Sequence, residues 1–218
     1  MDQKALIAAI ADQVRAQLDG ESSGHDWWHI VRVWRMARRI GGSYNVNMLV
    51  IELAALLHDI ADWKFHDGDE EIGPRTARSM LEKYHVPDQV IQAVTGIIRQ
   101  ISFKGAAGIR SIPSTLEGGI VQDADRLDAI GAIGIARAFA YGGYAGNSMH
   151  DPESAPAIHA NQEAYRSNRS TTINHFYEKL LLLKERMNTP EAREIALNRH
   201  EFLRDYLDRF SKEWDGLA

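Results

Sequence analysis

Apolar residues recur every three or four positions along most of the chain, which is the spacing of one face of an α-helix. Alternation of apolar and polar residues over the length of a strand is absent. The helical spacing is clearest in three early stretches: Leu6, Ile10, Val14 and Leu18; Ile30, Val33, Trp34 and Ala37; and Leu49, Leu53, Leu56 and Leu57. We therefore expect an all-α fold, a bundle of about eight helices.

Clusters of Gly, Pro, Asn and Ser separate the periodic stretches and predict the breaks between helices. The break from Tyr141 to Pro156 opens on the glycine cluster Tyr141 to Asn147. This cluster lacks the Gly-Lys-Ser/Thr ending of a phosphate-binding P-loop, so we expect a flexible loop or a substrate lid there. Ser114 followed by Glu117 matches a capping box, which predicts a helix that begins there and continues through an aspartate-rich segment.

The length of 218 residues, 44% of them hydrophobic, is enough for one substantial core and leaves room for a small second lobe. Internal repeats and low-complexity tracts are absent, so we expect a single domain over 1–218. Charges are mixed along the late helices, about 157–215, and these helices are expected to pack as a solvated outer layer. His175 and Lys179, four residues apart, are interpreted as part of that solvated face.

A formal net charge of −5 and a pI near 6.0 argue against a nucleic-acid or membrane-surface partner, because attraction to phosphate at long range needs a basic face. Met48 to Leu57, the longest apolar stretch, is interrupted by Glu52 and is far shorter than the roughly 20 residues of a membrane span. The absence of cysteine leaves His and carboxylates as the only strong metal ligands. We expect a cytoplasmic protein, and the sequence leaves homo-oligomerisation open.

Candidate chemistry begins in the segment Gly24 to Val33, at the predicted start of a helix. His25 and His29 lie four residues apart and therefore share a helix face, with Arg32 close to one turn beyond His29. A histidine beside tryptophans is more often a hydrogen-bonded core residue than a ligand, so this segment alone decides little.

The second segment is an apolar helix that ends abruptly in ionisable residues, with His58 and Asp59 followed by Asp62. Burying a carboxylate at such a position is costly unless a cation or dense hydrogen bonding compensates. A metal ion beside the helix end would supply that compensation, and Asp62 would then face a water bound to the metal. The alternative is that His58 and Asp59 only hydrogen-bond helix termini.

The third segment contains three aspartates in six residues, Asp123, Asp125 and Asp128, among small residues that allow close approach. On a helical wheel, Asp123 lies with large apolar residues, whereas Asp125 and Asp128 share another face. One helix can hardly direct both Asp123 and Asp125 at the same ion, and the wheel leaves the choice open. A solvated acidic face accounts for Asp128 but poorly for Asp123.

These motifs together resemble the HD-domain superfamily of metal-dependent phosphohydrolases. The resemblance rests on a first histidine, a His-Asp doublet and a later aspartate in an Ala-Asp-Arg-Leu context, in this order on separate helices. Longer matches in 25–33, 101–104 and 122–134 resemble a narrower bacterial branch, the YpgQ/YedJ-like proteins, over nearly the whole chain. Some members of that branch are nucleoside triphosphate pyrophosphohydrolases.

The resemblance implies an HD-domain helical bundle and one divalent metal ion, whose ligands would be His29, His58, Asp59 and Asp125, with Asp123 as the alternative fourth ligand. Ligands of this mixed type suit manganese first, with magnesium, zinc, iron, cobalt or nickel as alternatives. Asp62 would orient or deprotonate the attacking water. Two other residues are candidates for this role or for orienting the ligands, namely His25 and Asp26.

The implied substrate is a small phosphate-containing molecule, and the resemblance favours a nucleoside triphosphate cleaved to monophosphate and pyrophosphate. Four cations in or next to the three segments are candidates to bind its phosphates: Arg32, Lys64, Lys104 and Arg126. A phosphomonoesterase or alarmone hydrolase is the alternative within enzymes. Trp63 stands where some HD enzymes carry a second acidic residue after the doublet, which argues against a strict alarmone-hydrolase mechanism. The alternative of another class is a nucleotide-binding regulatory module without turnover.

Overall fold

The computed structural model describes residues 2–18, 26–61, 69, 71–101, 112–157 and 170–218. Throughout these ranges every regular element is helical, which confirms the all-α prediction. They contain nine α-helices and one 3-10 helix, Leu180–Arg186. The α-helices are α1 Gln3–Gln17, α2 Trp27–Gly41, α3 Met48–Leu57, α4 Ile72–Lys83, α5 Asp88–Ile101, α6 Leu116–Asp128, α7 Gly131–Ala145, α8 Thr172–Glu178 and α9 Pro190–Trp214.

The contacts of the chain group it into two compact units, and α6 begins in the first unit and ends in the second. The first unit takes in the described residues up to Ala124, and the second begins at Asp125. The single-domain organisation over 1–218 remains a prediction. Within the described ranges, no helix combines the length and the apolar character that crossing a bilayer requires.

Helix α3 is the centre of the first unit and packs against α1, α2 and α5. The side chain of Asn47 caps its first turn by accepting a hydrogen bond from the backbone N–H of Val50. Apolar residues then surround the helix axis, and nearly all of them are buried. A helix that is apolar on all sides is stable only inside a core, so the sequence itself places α3 there.

The start of α6 differs by one residue from the predicted capping box. Thr115, not Ser114, is the cap, because its hydroxyl accepts a hydrogen bond from the N–H of Gly118 at 3.1 Å. Ser114 instead donates from its backbone N–H and its hydroxyl to Gln100 of α5. Glu117 accepts a hydrogen bond from the backbone N–H of Asn47 at 3.1 Å. The prediction that this helix continues through the aspartates is confirmed.

In the second unit, α7 corrects the prediction of a loop or lid over Tyr141 to Asn147. The helix continues through most of this cluster and ends at Gly146, whose φ of 71° is the left-handed conformation that glycine adopts readily. Gly142 lies against Thr172 of α8, where a side chain would collide. Aromatic rings of α7, α8 and α9 contact one another in this unit, and of these only Phe176 is fully buried: Phe139, Phe176, Tyr206 and Phe210.

Candidate metal centre

The first turn of α2 holds His29 in place through its N-cap. Asp26 has the extended backbone of a capping residue, and its carboxylate accepts a hydrogen bond from the N–H of His29 at 2.9 Å. The side chain of His29 is fully buried. Asp26, a candidate for catalysis or for orienting ligands, therefore fixes the backbone that carries the first candidate ligand.

His58 follows α3 directly and is oriented by a carbonyl of the same helix. Its Nδ1 lies 2.8 Å from the carbonyl oxygen of Ala55, which can only accept, so Nδ1 carries the proton. In the neutral ring, Nε2 then presents a lone pair. A ring nitrogen hydrogen-bonded to a carbonyl, with its partner nitrogen free to coordinate, is the usual arrangement of a metal-binding histidine.

Three potential ligand atoms of the first unit meet at this point. The two histidine Nε2 atoms are 3.2 Å apart, and Oδ2 of Asp59 lies 3.4 Å from His29 Nε2 and 3.6 Å from His58 Nε2. A circle through the three atoms has a radius of about 2.0 Å, close to the distances at which imidazole nitrogen and carboxylate oxygen bind zinc. The atoms are therefore spaced to share one first-row divalent cation.

The aspartates of α6 differ in burial. Asp123 is fully buried, whereas Asp125 is half-buried. The assignment of Asp125, which belongs to the second unit, as the fourth ligand remains a prediction. The residues of this centre thus offer imidazole nitrogen and carboxylate oxygen, a donor set that suits borderline-to-hard divalent ions.

The other candidates from the sequence fall into two groups. Four of them lie outside the described residues, namely His25, Asp62, Lys64 and Lys104. Arg32 is half-buried on α2, and Arg126 lies on α6, where its guanidinium donates to the backbone carbonyl of Arg186.

Asp128 is not part of a solvated acidic face, contrary to the sequence interpretation. Its side chain is buried and accepts a hydrogen bond from Arg137 of α7 at 3.0 Å, because α6 ends there and α7 begins three residues later. Arg199 of α9 donates to the carbonyl of Leu127 in the same turn. Sequence reasoning did not single out either arginine, and Arg199 is too distant in sequence for any local pattern to have indicated it.

The interpretation of His175 as part of a solvated face is also wrong. Burial lowers the pKa of His175 to about 3, and the positive charge of Lys179 adds to the effect. This imidazole is therefore neutral at physiological pH. Its side chain is half-buried in the second unit.

Comparison with known proteins agrees with this geometry. The family model described as the HD domain matches residues 27–130. The protein YpgQ of Bacillus subtilis is 38% identical over 204 residues, which cover 94% of this chain and 91% of YpgQ. A crystal structure of an HD-superfamily hydrolase from Bacillus thuringiensis has a TM-score of 0.76 at 40% identity and covers 98% of this chain and 99% of that one. The structure of Bacillus subtilis YpgQ in complex with ADP has a TM-score of 0.74 at 36% identity, with 95% and 100% covered.

The family match begins at α2 and ends just after α6, so it takes in the His-Asp doublet and the aspartate-rich helix. The full-length similarity to YpgQ extends the relationship over the remaining helices. The chain therefore belongs to the HD-domain family of metal-dependent phosphohydrolases.

Proposed function

We propose that this protein hydrolyses nucleoside triphosphates to the monophosphate and pyrophosphate in a manganese-dependent reaction. The observation that carries the proposal is the convergence of two histidine nitrogens and the Asp59 oxygen within 3.2–3.6 Å of one another. The ADP complex of Bacillus subtilis YpgQ, a relative similar over nearly the full length, supports a nucleotide as the substrate.

We assign the metal to His29, His58, Asp59 and Asp125. The hydrogen bonds of Asp26 and Ala55 hold the two histidines before any ion binds, which reduces the entropic cost of assembling the site. When bound, the ion would polarise a phosphoryl group and lower the pKa of the attacking water. Six-coordinate manganese would keep positions for both after taking four protein ligands.

Other residues would bind and orient the substrate. Arg32 follows His29 by three residues on α2, which puts the two on one face of the helix, and it is half-buried, so solvent would screen its charge less than that of a fully exposed cation. Lys64, Lys104 and Arg126 are the further candidates to balance the charge of a polyphosphate. Asp62 is the proposed base for the attacking water, with His25 as its alternative.

The test is product analysis with metal-stripped protein, a panel of nucleoside triphosphates, and manganese added or omitted. The variant Asp59→Asn removes the anionic ligand while keeping the shape of the side chain. Asp208→Asn is the matched control, because Asp208 is an exposed carboxylate that pairs with Lys212 on α9. Circular dichroism checks that both variants are folded.

Monophosphate and pyrophosphate that appear only with manganese, are lost in Asp59→Asn and persist in Asp208→Asn would support the proposal. Release of inorganic phosphate alone would replace it with a phosphatase. Nucleotide binding without product, with any divalent metal, would replace it with a binding module. A proton shared between the two histidine rings also accounts for their 3.2 Å separation, so manganese binding is measured directly alongside.

A further inference from the structure

The carboxyl-terminal end of α6 is fixed by an arginine from the last helix. Arg199 donates its guanidinium Nη1 to the carbonyl oxygen of Leu127. The N–H of Ile130 donates to the same carbonyl at 3.2 Å. Last-turn carbonyls have no partner within their own helix, and an unsupported last turn frays. The carbonyl of Leu127, two residues after Asp125, thus has two donors from outside the helix.

The path of Arg199 to this carbonyl depends on a glycine. Gly131 has a φ of +77°, and a Cβ at this position would lie 3.0–3.3 Å from Cβ, Cγ and Cδ of Arg199. The aliphatic part of the arginine therefore packs on bare backbone where the chain turns from α6 into α7. A side chain at Gly131 would force Arg199 to shift by a few tenths of an ångström, so the two residues are closely packed.

The positive charge of Arg199 gives its contact with the carbonyl of Leu127 a second, electrostatic effect. The last two turns of α6 carry Asp123, Asp125 and Asp128, at the end of the helix where the macrodipole is negative. Like charges at that end destabilise the helix, and cations there stabilise it. Arg137 neutralises Asp128 directly, and Arg199 adds a positive charge at the terminal carbonyls.

We propose that Arg199 is a positioning residue for the metal ligand Asp125. The inference rests on the proposed function, in which Asp125 binds the metal. Metal ligands must be held within a few tenths of an ångström of their productive position, and loss of the groups that hold them typically weakens binding by about 10–100-fold. By fixing the last turn of α6, Arg199 fixes the backbone from which Asp125 extends.

The experiment measures manganese affinity from the electron paramagnetic resonance signal of the free ion, well below the unfolding temperature. Arg199→Met should bind manganese about tenfold more weakly than the wild type. The manganese affinity of Arg199→Lys, which keeps the charge, should lie between those of the wild type and Arg199→Met. Gly131→Ala keeps the charge of the arginine but crowds its side chain and strains the backbone at a φ of +77°, so it should also bind manganese more weakly.

Arg193→Met is the matched control, because Arg193 lies on the same helix and also donates to backbone carbonyls, but to those of Met187 and Asn188 and not to one in α6. Its manganese affinity should equal that of the wild type even where its thermal stability falls, which separates positioning from general stability. If Arg199→Met does not fold, Arg199→Lys and Gly131→Ala provide the test.

In Arg199→Met, the loss of the positive charge and the loss of the positioning contact predict opposite changes in manganese affinity, which makes the result decisive. Removing a cation from the end of a helix that carries three aspartates strengthens cation binding by electrostatics alone. Manganese affinity in Arg199→Met that is equal to or tighter than wild type would therefore overturn the inference while leaving the proposed function intact. Wild-type protein that binds no divalent cation would instead overturn the proposed metal site and, with it, this inference.

Discussion

Gly142 and Gly143 are adjacent in α7, yet their replacement by alanine should have opposite effects on stability. A Cβ at Gly142 would lie 2.2 Å from Oγ1 and 3.4 Å from Cβ of Thr172, whose side chain is buried. A Cβ at Gly143 would meet nothing within 4 Å. The two substitutions therefore add the same methyl group to the same helix and differ only in what it contacts.

The magnitudes follow from two competing terms. Alanine is favoured over glycine in a helix by about 1 kcal/mol, so Gly143→Ala should raise the free energy of unfolding by roughly 0.5–1 kcal/mol. At Gly142, Thr172 must move by about 1 Å to reach an ordinary contact, and overpacking of this kind costs about 1–3 kcal/mol. Gly142→Ala should therefore be destabilising, about 2 kcal/mol below Gly143→Ala.

The assay is equilibrium unfolding in urea for the wild type and both variants. A second background, Thr172→Ala, removes the atom that collides, so Gly142→Ala should lose most of its cost there while Gly143→Ala is unaffected. A double-mutant cycle isolates this coupling. Equal stability of the two alanine variants would refute the close packing of α7 on α8 at Gly142.

Three further predictions concern the site and the interior. Asp26→Ala should lower the free energy of unfolding by about 1 kcal/mol and weaken manganese binding, because the N–H of His29 loses its capping partner. Asp26→Asn keeps a capping side chain and should retain the wild-type stability and manganese affinity. Urea unfolding and manganese titration check these two quantities. His175→Gln should remove part of the acid sensitivity of the protein. The folded-state pKa of His175, about 3, lies below its unfolded value, so the free energy of unfolding of the wild type falls as the pH drops below about 6.5, by about 1.4 kcal/mol at pH 5.5. Unfolding measured at pH 7.5 and 5.5 should show this loss in the wild type and not in the variant. Manganese at 100 times its Kd should stabilise metal-stripped protein by about 2.7 kcal/mol, and the same addition to Asp59→Asn should have little effect on its melting temperature.

The sequence predicted those parts of the fold that local patterns determine. The apolar character of α3 on all sides can be satisfied only in a core, so both its existence and its burial could be predicted. The cap of α6 was misplaced by one residue because Ser114 is drawn to Gln100 of α5, a contact that the local motif does not contain. The prediction of a helix boundary from sequence fails where a distant residue competes for the capping side chain.

The glycines of α7 illustrate another limit. A cluster of glycines usually indicates a loop, because glycine is unfavourable in a helix. Here Gly142 allows α8 to approach closely, and Gly146, directly after α7, has the left-handed conformation that ends a helix. Glycine that permits close packing and glycine that permits a turn look alike in a sequence, and the packing partner decides between them.

The candidate ligands differ in how they are held, and this explains what could be predicted about them. His29 is positioned by a residue three places before it, and His58 by a carbonyl three places before it, so the short motifs that revealed these histidines already contain their supports. Asp125 lies on a helix whose end is held by Arg199, 72 residues beyond Leu127, and no local motif contains that contact. The helical wheel could not choose between Asp123 and Asp125, because the contacts that hold α6 lie outside its local sequence. If Asp125 binds the metal as we propose, a change in the late helices should alter the position of this ligand, whereas the hydrogen bonds that orient the two histidines lie within their own segments and should be unaffected.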